Sequence, residues 1–184
     1  MNKNKIIIGT AQSDVNYGII KSKNFIHLSK FVKMNNFFID TAPVYKNSDL
    51  FFNILNQTFL EKNLLKTLKN KKIEIHGRSI FLQGLLLLDH KKIPKNLINN
   101  KALIRFFKFI KNTKISPLEH CIKFVQNIKE IDKFVVGFNS LDQLKQFLKC
   151  LKNINQININ RKIYDSLKSK DLKIIDPRKW NYYD

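Results

Sequence analysis

A chain of 184 residues is long enough for one domain with a real core and short for two. Hydrophobic residues at 43% and aromatic residues at 11% exclude a disordered chain, and no apolar run approaches the roughly 20 residues that would span a membrane. The net charge of +20 invites a polyanionic partner, but it arises from thirty lysines against four arginines, scattered among Asn and Ile. Arginine supplies the bidentate fork that base and phosphate recognition favours, so solvated lysines are expected, with no specific nucleic-acid partner and no membrane partner.

The N-terminal "MNKNKIIIGTAQ" lacks a long apolar region with a small-residue cleavage site, so no secretory signal is expected. Cys121 and Cys150 have neither metal spacing nor a CxxC pair and read as reduced, half-buried thiols, which gives a cytoplasmic expectation and no metal site. "KIIIGTA" (Lys5–Ala11) predicts a buried strand ending at Gly9-Thr10. Ser22–Lys33 predicts a helix, and "FFID" (Phe37–Asp40) a second strand after the breaker Asn35-Asn36. "LFFNILN" (Leu50–Asn56) reads as a third strand, Phe59–Lys72 as a helix, and "IEIHGRSIFLQG" (Ile73–Gly84) as a fourth strand entering a loop. Helices follow over Asn96–Lys111 and from Ser116, with Pro117 in the first turn and Glu119 behind it, to about Ile128. Lys133–Asn139 reads as a fifth strand, and Ser140–Asn153 as a helix capped by Ser140 and strengthened by Gln143. Alternating strands and helices predict an α/β fold with parallel strands, and the polar and glycine residues collect just after the strands, where such folds bind ligands.

Several segments resemble the aldo-keto reductases, nicotinamide-dependent carbonyl reductases built on a (β/α)8 barrel. "IIIGTAQSDVNYGI" is similar to that family's first strand and loop, and "FFIDTAPVYKNSD" to its second. "NILNQTFLEKNLLKTLKNKKIEIHGRSIFLQGLLL" resembles the sixth helix and seventh strand, "PLEHCIKFVQNIKEIDKFVVGFNSLDQLKQ" the seventh helix through the eighth strand and helix, and "DPRKW" the tail. The resemblance implies one TIM-barrel-derived domain over residues 1–184, incomplete, with about five of eight β/α units. Residues 1–49 would hold the first two units and residues 50–184 units six to eight plus the tail. The join falls at Asp49-Leu50, where the third to fifth units have no counterpart.

What the resemblance implies chemically is an NADPH- or NADH-dependent oxidoreductase acting on a small carbonyl or alcohol. Asp40 and Tyr45 match the family's catalytic Asp and Tyr. The partnering Lys and His belong to the missing units, so activity is expected to be impaired, because a phenol with a pKa of about 10 needs a nearby cation to act as an acid. Lys46, one residue past Tyr45, reads as solvated rather than as a replacement, and His76 as a packed or edge histidine. His27, His90 and His120 receive no role. For the cofactor, Gly9 and Thr10 match first-strand contacts, Arg78 and Ser79 the seventh-strand positions, and Gly137, Asn139, Ser140 and Gln143 the eighth-strand loop and helix start. The alternatives are a non-catalytic descendant binding a nucleotide or a protein, possible as a homo-oligomer because a shortened barrel leaves strand edges, and a basic nucleic-acid-binding module.

Overall fold

The β-branched run after Lys5 forms strand β1 (Ile6–Gly9) in the computed structural model, which describes residues 5–9, 22–40, 53–61, 63–177 and 180. Helix α1 (Ser22–Met34) returns the chain to β2 (Phe38–Asp40), with Asn36 at φ 51° turning it out of the helix. Asn tolerates that left-handed conformation better than other non-glycine residues, which is why the Asn35-Asn36 breaker is legible.

Residues 53–56, expected to continue a third strand, form a turn instead. Asn53 Oδ1 accepts from the Leu55 and Asn56 N–H groups, both at 3.0 Å, and this local bonding competes with any sheet ladder. The expected helix over Phe59–Lys72 is likewise two pieces, α2 (Thr58–Glu61) and α3 (Leu64–Asn70), separated by Asn63 at φ 51°. Strand β3 is only His76–Gly77, because the following segment leaves the extended region: Ser79, Leu82, Gln83 and Gly84 all have positive φ. Left-handed backbone costs non-glycine residues about 1–2 kcal/mol each. Ile80, Leu82, Leu85 and Leu86 are all buried there, and that burial holds the turn closed.

Helices α4 (Lys95–Ile98) and α5 (Lys101–Lys111) divide the expected Asn96–Lys111 helix, since Asn100 Oδ1 caps Ala102 and Leu103 and starts α5 afresh. Helix α6 (Pro117–Gln126) opens on a capping box: Ser116 Oγ accepts from Glu119 N, and Glu119 Oε2 accepts from Ser116 N at 2.9 Å. Strand β4 (Lys133–Gly137) leads into α7 (Leu141–Asn153), and a 3-10 segment (Arg161–Leu167) precedes the short α8 (Leu172–Ile175).

The four strands form one parallel sheet in the order β2-β1-β4-β3. Parallel pairing requires a long crossover, and helices supply the connections, so the fold is mixed α/β. Alternation along the strands sends Ile6, Ile8, Phe134 and Val136 into the main core with Leu28 and Val32 of α1 and Leu144, Phe147 and Leu151 of α7. The other face carries Ile7, Val135 and Lys133, with Phe38 beside Ile7 in register and 58% exposed. Lys133 Nζ lies 5.1 Å from the Phe38 ring centroid, so a cation covers part of that ring. At the amino end of β3, Asp132 ties the layers together: its carboxylate takes Lys69 Nζ at 2.7 and 2.9 Å and Ile75 N at 2.8 Å.

Candidate functional site

The parallel register places Asp40, Gly9 and Gly137 side by side at the carboxyl ends of β2, β1 and β4. Three of the residues singled out by sequence thus share one row, the position where α/β sheets receive ligands. Asn139, Ser140 and Gln143 follow at once as β4 turns into α7. Arg78 and Ser79, both half-buried, follow the last residue of β3. Thr10, Tyr45 and Lys46 lie outside the described residues.

The start of α7 has a clear polar arrangement. Ser140 Oγ accepts from Gln143 N at 3.2 Å, while Gln143 Oε1 accepts from Asn139 N at 2.8 Å. The expected cap is present, and it commits the Ser140 and Gln143 side chains to holding the helix end. The backbone of a thirteen-residue helix still points its positive end toward the strand row, which suits a phosphate. Asp142, in the first turn, complements that same helix dipole and opposes an incoming anion. Gly9 has a structural reason to be glycine: a Cβ there would meet Val135 Cγ1 at 3.1 Å, so the sheet's own packing fills the space. Ser79 is held in left-handed backbone, its carbonyl accepting from Leu82 N at 2.8 Å. A dinucleotide would therefore have to meet backbone of the β4–α7 turn, where Asn139 N, Gln143 N and the side chains of Ser140 and Gln143 are already engaged.

His76 stands elsewhere. It pairs with Lys133 at the amino end of β4, about 13 Å along the strand from Gly137 at 3.3 Å per residue. There it is exposed, 2.8 Å from Glu74 Oε1, and Lys133 Nζ lies 2.6 Å from the same oxygen. The hydrogen bond from Lys133, with that from His76, holds the Glu74 carboxyl below its ordinary range. This histidine is an edge residue in an ion-pair network.

A second polar centre went unread in the sequence. His120, fully buried on α6, bonds Thr113 Oγ1 through Nε2 at 2.9 Å and Tyr164 Oη through Nδ1 at 3.0 Å. Thr113 Oγ1 also donates toward the Ile110 carbonyl at 3.0 Å. Every proton finds an acceptor if the imidazole is neutral with its proton on Nε2: Tyr164 O–H donates to Nδ1, Nε2–H donates to Thr113 Oγ1, and the threonine donates to the carbonyl. Desolvation pushes the His120 pKa down, against a smaller opposing influence of Glu119, and so favours the neutral ring. Desolvation also pushes the Tyr164 phenol well up, with the neighbouring Cys121 adding to it. Phe109 and Phe124 stand edge-on to the Tyr164 ring at centroid distances of 6.0 and 5.5 Å. Tyr164 also accepts through its backbone carbonyl from Gln57 Nε2 at 2.9 Å, which joins the centre to the Asn53 turn. The available sequence signal was a histidine on an apolar helical face beside Cys121 and Phe124. Its phenol partner lies 44 residues on, in a tail with no periodicity.

The two cysteines are free thiols. Cys121 is fully buried rather than half-buried, and burial pushes its thiol far up; Cys150 is half-buried, pushed up to about 11 by desolvation and then by Glu119. Neither is poised as a thiolate nucleophile. Among the described residues no three His, Cys, Asp or Glu side chains gather as a metal site, and no helix is long and apolar enough to cross a membrane. No family model matches the chain, and no curated protein matches it.

Proposed function

We propose that the chain is a shortened relative of the aldo-keto reductases that keeps a nicotinamide-cofactor end and an impaired carbonyl-reducing centre. The observation carrying this reading is the strand order. In a closed eight-stranded barrel the last strand returns beside the first, so strands one, two, seven and eight lie in the order 2-1-8-7. The order β2-β1-β4-β3 matches it if β3 and β4 stand for the seventh and eighth strands, the assignment the sequence resemblance implies. The row Asp40, Gly9 and Gly137 adds a shared carboxyl end at which a cofactor and a substrate would meet.

NADPH or NADH would supply a hydride there. The chain's own part is to hold phosphate with the backbone of Gly137–Ser140 and the α7 start, assisted by Gly9, Thr10, Arg78 and Ser79, and to donate a proton from Tyr45, with Asp40 in the role of the family's supporting carboxylate. Without the Lys and His of the missing units, the phenol lacks the cation that would lower its pKa toward neutrality, so turnover is slow. A titration of NADPH followed by its own fluorescence, with steady-state oxidation by a panel of aldehydes, tests both parts. Saturable binding with turnover lost in Tyr45→Phe is expected. Turnover that survives Tyr45→Phe removes the tyrosine's role, and absence of saturable binding overturns the cofactor site.

One set of observations favours a second reading, a non-catalytic descendant. The side chains of Ser140 and Gln143 serve the helix cap, Val135 occupies the space above Gly9, and Asp142 opposes an anion. Absence of both saturable NADPH binding and carbonyl-dependent oxidation in a folded chain is its signature.

A further inference from the structure

The diffuse positive charge expected from sequence is locally concentrated. Between His90 and Leu118 there are eight basic residues and no acidic one: Lys91, Lys92, Lys95, Lys101, Arg105, Lys108, Lys111 and Lys114. All eight are exposed, and among the described residues none forms an ion pair with a carboxylate. Lys101, Arg105 and Lys108 follow helical spacing on the outer side of α5, opposite the buried Ala102, Leu103 and Phe106. The segment before α8 runs alongside: Arg105 Nη2 reaches the Lys168 carbonyl at 3.4 Å, and Asn100 Nδ2 donates to Asp171 Oδ2 at 2.9 Å. That contact brings the exposed Lys170, Leu172 and Lys173 next to the start of α5. Asp171, a carboxylate at this edge, is engaged by Asn100 and by Lys173 N.

We propose that this face is a peripheral docking surface for an anionic lipid bilayer. Charge complementarity calls for a polyanion, and the uncharged groups on the face select which kind. Ile104, 47% exposed in the middle of the cationic row, and Leu172, 52% exposed beside it, are aliphatic. The aromatic rings of the stretch are not presented as stacking platforms: Phe106 is buried against Phe107, and Phe109 packs on His120 and Tyr164. Single-stranded nucleic acid would need such platforms, whereas lysine ammonium groups around exposed aliphatic side chains suit headgroup phosphates and the acyl boundary. The apolar stripe of α5 is already buried in the core, so the helix lies along the bilayer without inserting. Neither the sheet end nor a bound cofactor is required.

The test is co-sedimentation of the full chain with phosphatidylcholine vesicles with and without phosphatidylserine, at low and raised salt. Binding only to the anionic vesicles, weakened by salt, is expected. The triple variant Lys101→Glu, Arg105→Glu, Lys108→Glu should lower partitioning on the order of 100-fold, given several-fold per basic residue near the surface. Ile104→Ser should lower it several-fold more gently, without a change in net charge. The matched variant Lys145→Glu, Lys149→Glu, Lys152→Glu on exposed positions of α7 changes net charge equally and should retain most binding. Equal loss in both triples would show a net-charge effect and overturn the surface. So would retention of single-stranded RNA with no affinity for phosphatidylserine vesicles. If circular dichroism shows that the reversal variant is unfolded, the Gln versions of the same three positions carry the comparison.

Discussion

The carboxyl end of the sheet and the α5–α6–Tyr164 junction are both rich in polar groups, yet they use them in opposite ways. At the sheet end, Ser140 and Gln143 tie a helix start at the surface, each accepting from a backbone N–H group of the same turn. At the junction, Thr113, His120 and Tyr164 close on one another in a buried setting where each proton has its acceptor. Water can replace a lost partner in the first place and not in the second. Polar groups at an exposed strand end can exchange a protein partner for water at little cost, whereas those of a buried network are committed to stability.

The largest effect that would test this contrast is Tyr164→Ala, which empties a fully buried aromatic site and should cost about 3–5 kcal/mol in denaturant unfolding. Tyr164→Phe keeps the packing, leaves His120 Nδ1 without its donor, and should cost about 1–3 kcal/mol. Ser140→Ala, the corresponding loss of a hydroxyl at the sheet end, should cost about 1 kcal/mol, the usual value of a helix cap. A Ser140→Ala cost as large as that of Tyr164→Phe would break the comparison. The network also predicts a pH signature. The folded-state pKa of His120 lies below its unfolded value, so between the two the unfolded chain binds the extra proton. Stability should then fall as pH drops below about 6.5, the ordinary histidine value, and this part of the slope should vanish in His120→Leu. Asp132 contributes in the same direction at lower pH. Partial burial raises its pKa, but the Lys69 and Ile75 hydrogen bonds outweigh that and lower it, so its contribution is present above the unfolded carboxylate pKa and lost as pH falls through the folded one. The smallest effect is expected for Arg161→Ala, whose 3.6 Å pair with Asp165 is solvent-facing and should change stability by less than about 0.5 kcal/mol.

Sequence reasoning located the parts of the fold governed by local chemistry. The Ser116–Glu119 capping box, the Ser140 cap and the β1, β2 and β4 strands follow from spacing within a few residues. It failed where one residue's backbone preference broke a longer pattern. Asn63 and Asn100 each divide a run of apolar residues that reads as one helix, and the Asn53 side chain captures two N–H groups that a strand would have needed. At the site, the row Asp40, Gly9 and Gly137 was legible as strand-end polarity, although only the pairing register makes it a row. The Thr113–His120–Tyr164 network was not legible, because the Tyr164 partner of His120 comes from a segment without helical or strand period. The cationic face was obscured differently: the run from Lys91 to Lys114 without Asp or Glu stands in the sequence amid lysines everywhere, and only the fold lays Lys170 and Lys173 beside it.

The placement of β1 between β2 and β4 has a consequence for how the chain is made. Ile6 takes its β4 neighbour from Phe134, so during synthesis β1 has one flank unsatisfied until residue 134 has been made. At about 5–20 residues per second that is an interval on the order of ten seconds, in which an Ile-rich edge is open to wrong partners. Loop closure between β1 and β4 precedes any reward from their pairing, which slows folding of a sheet built this way.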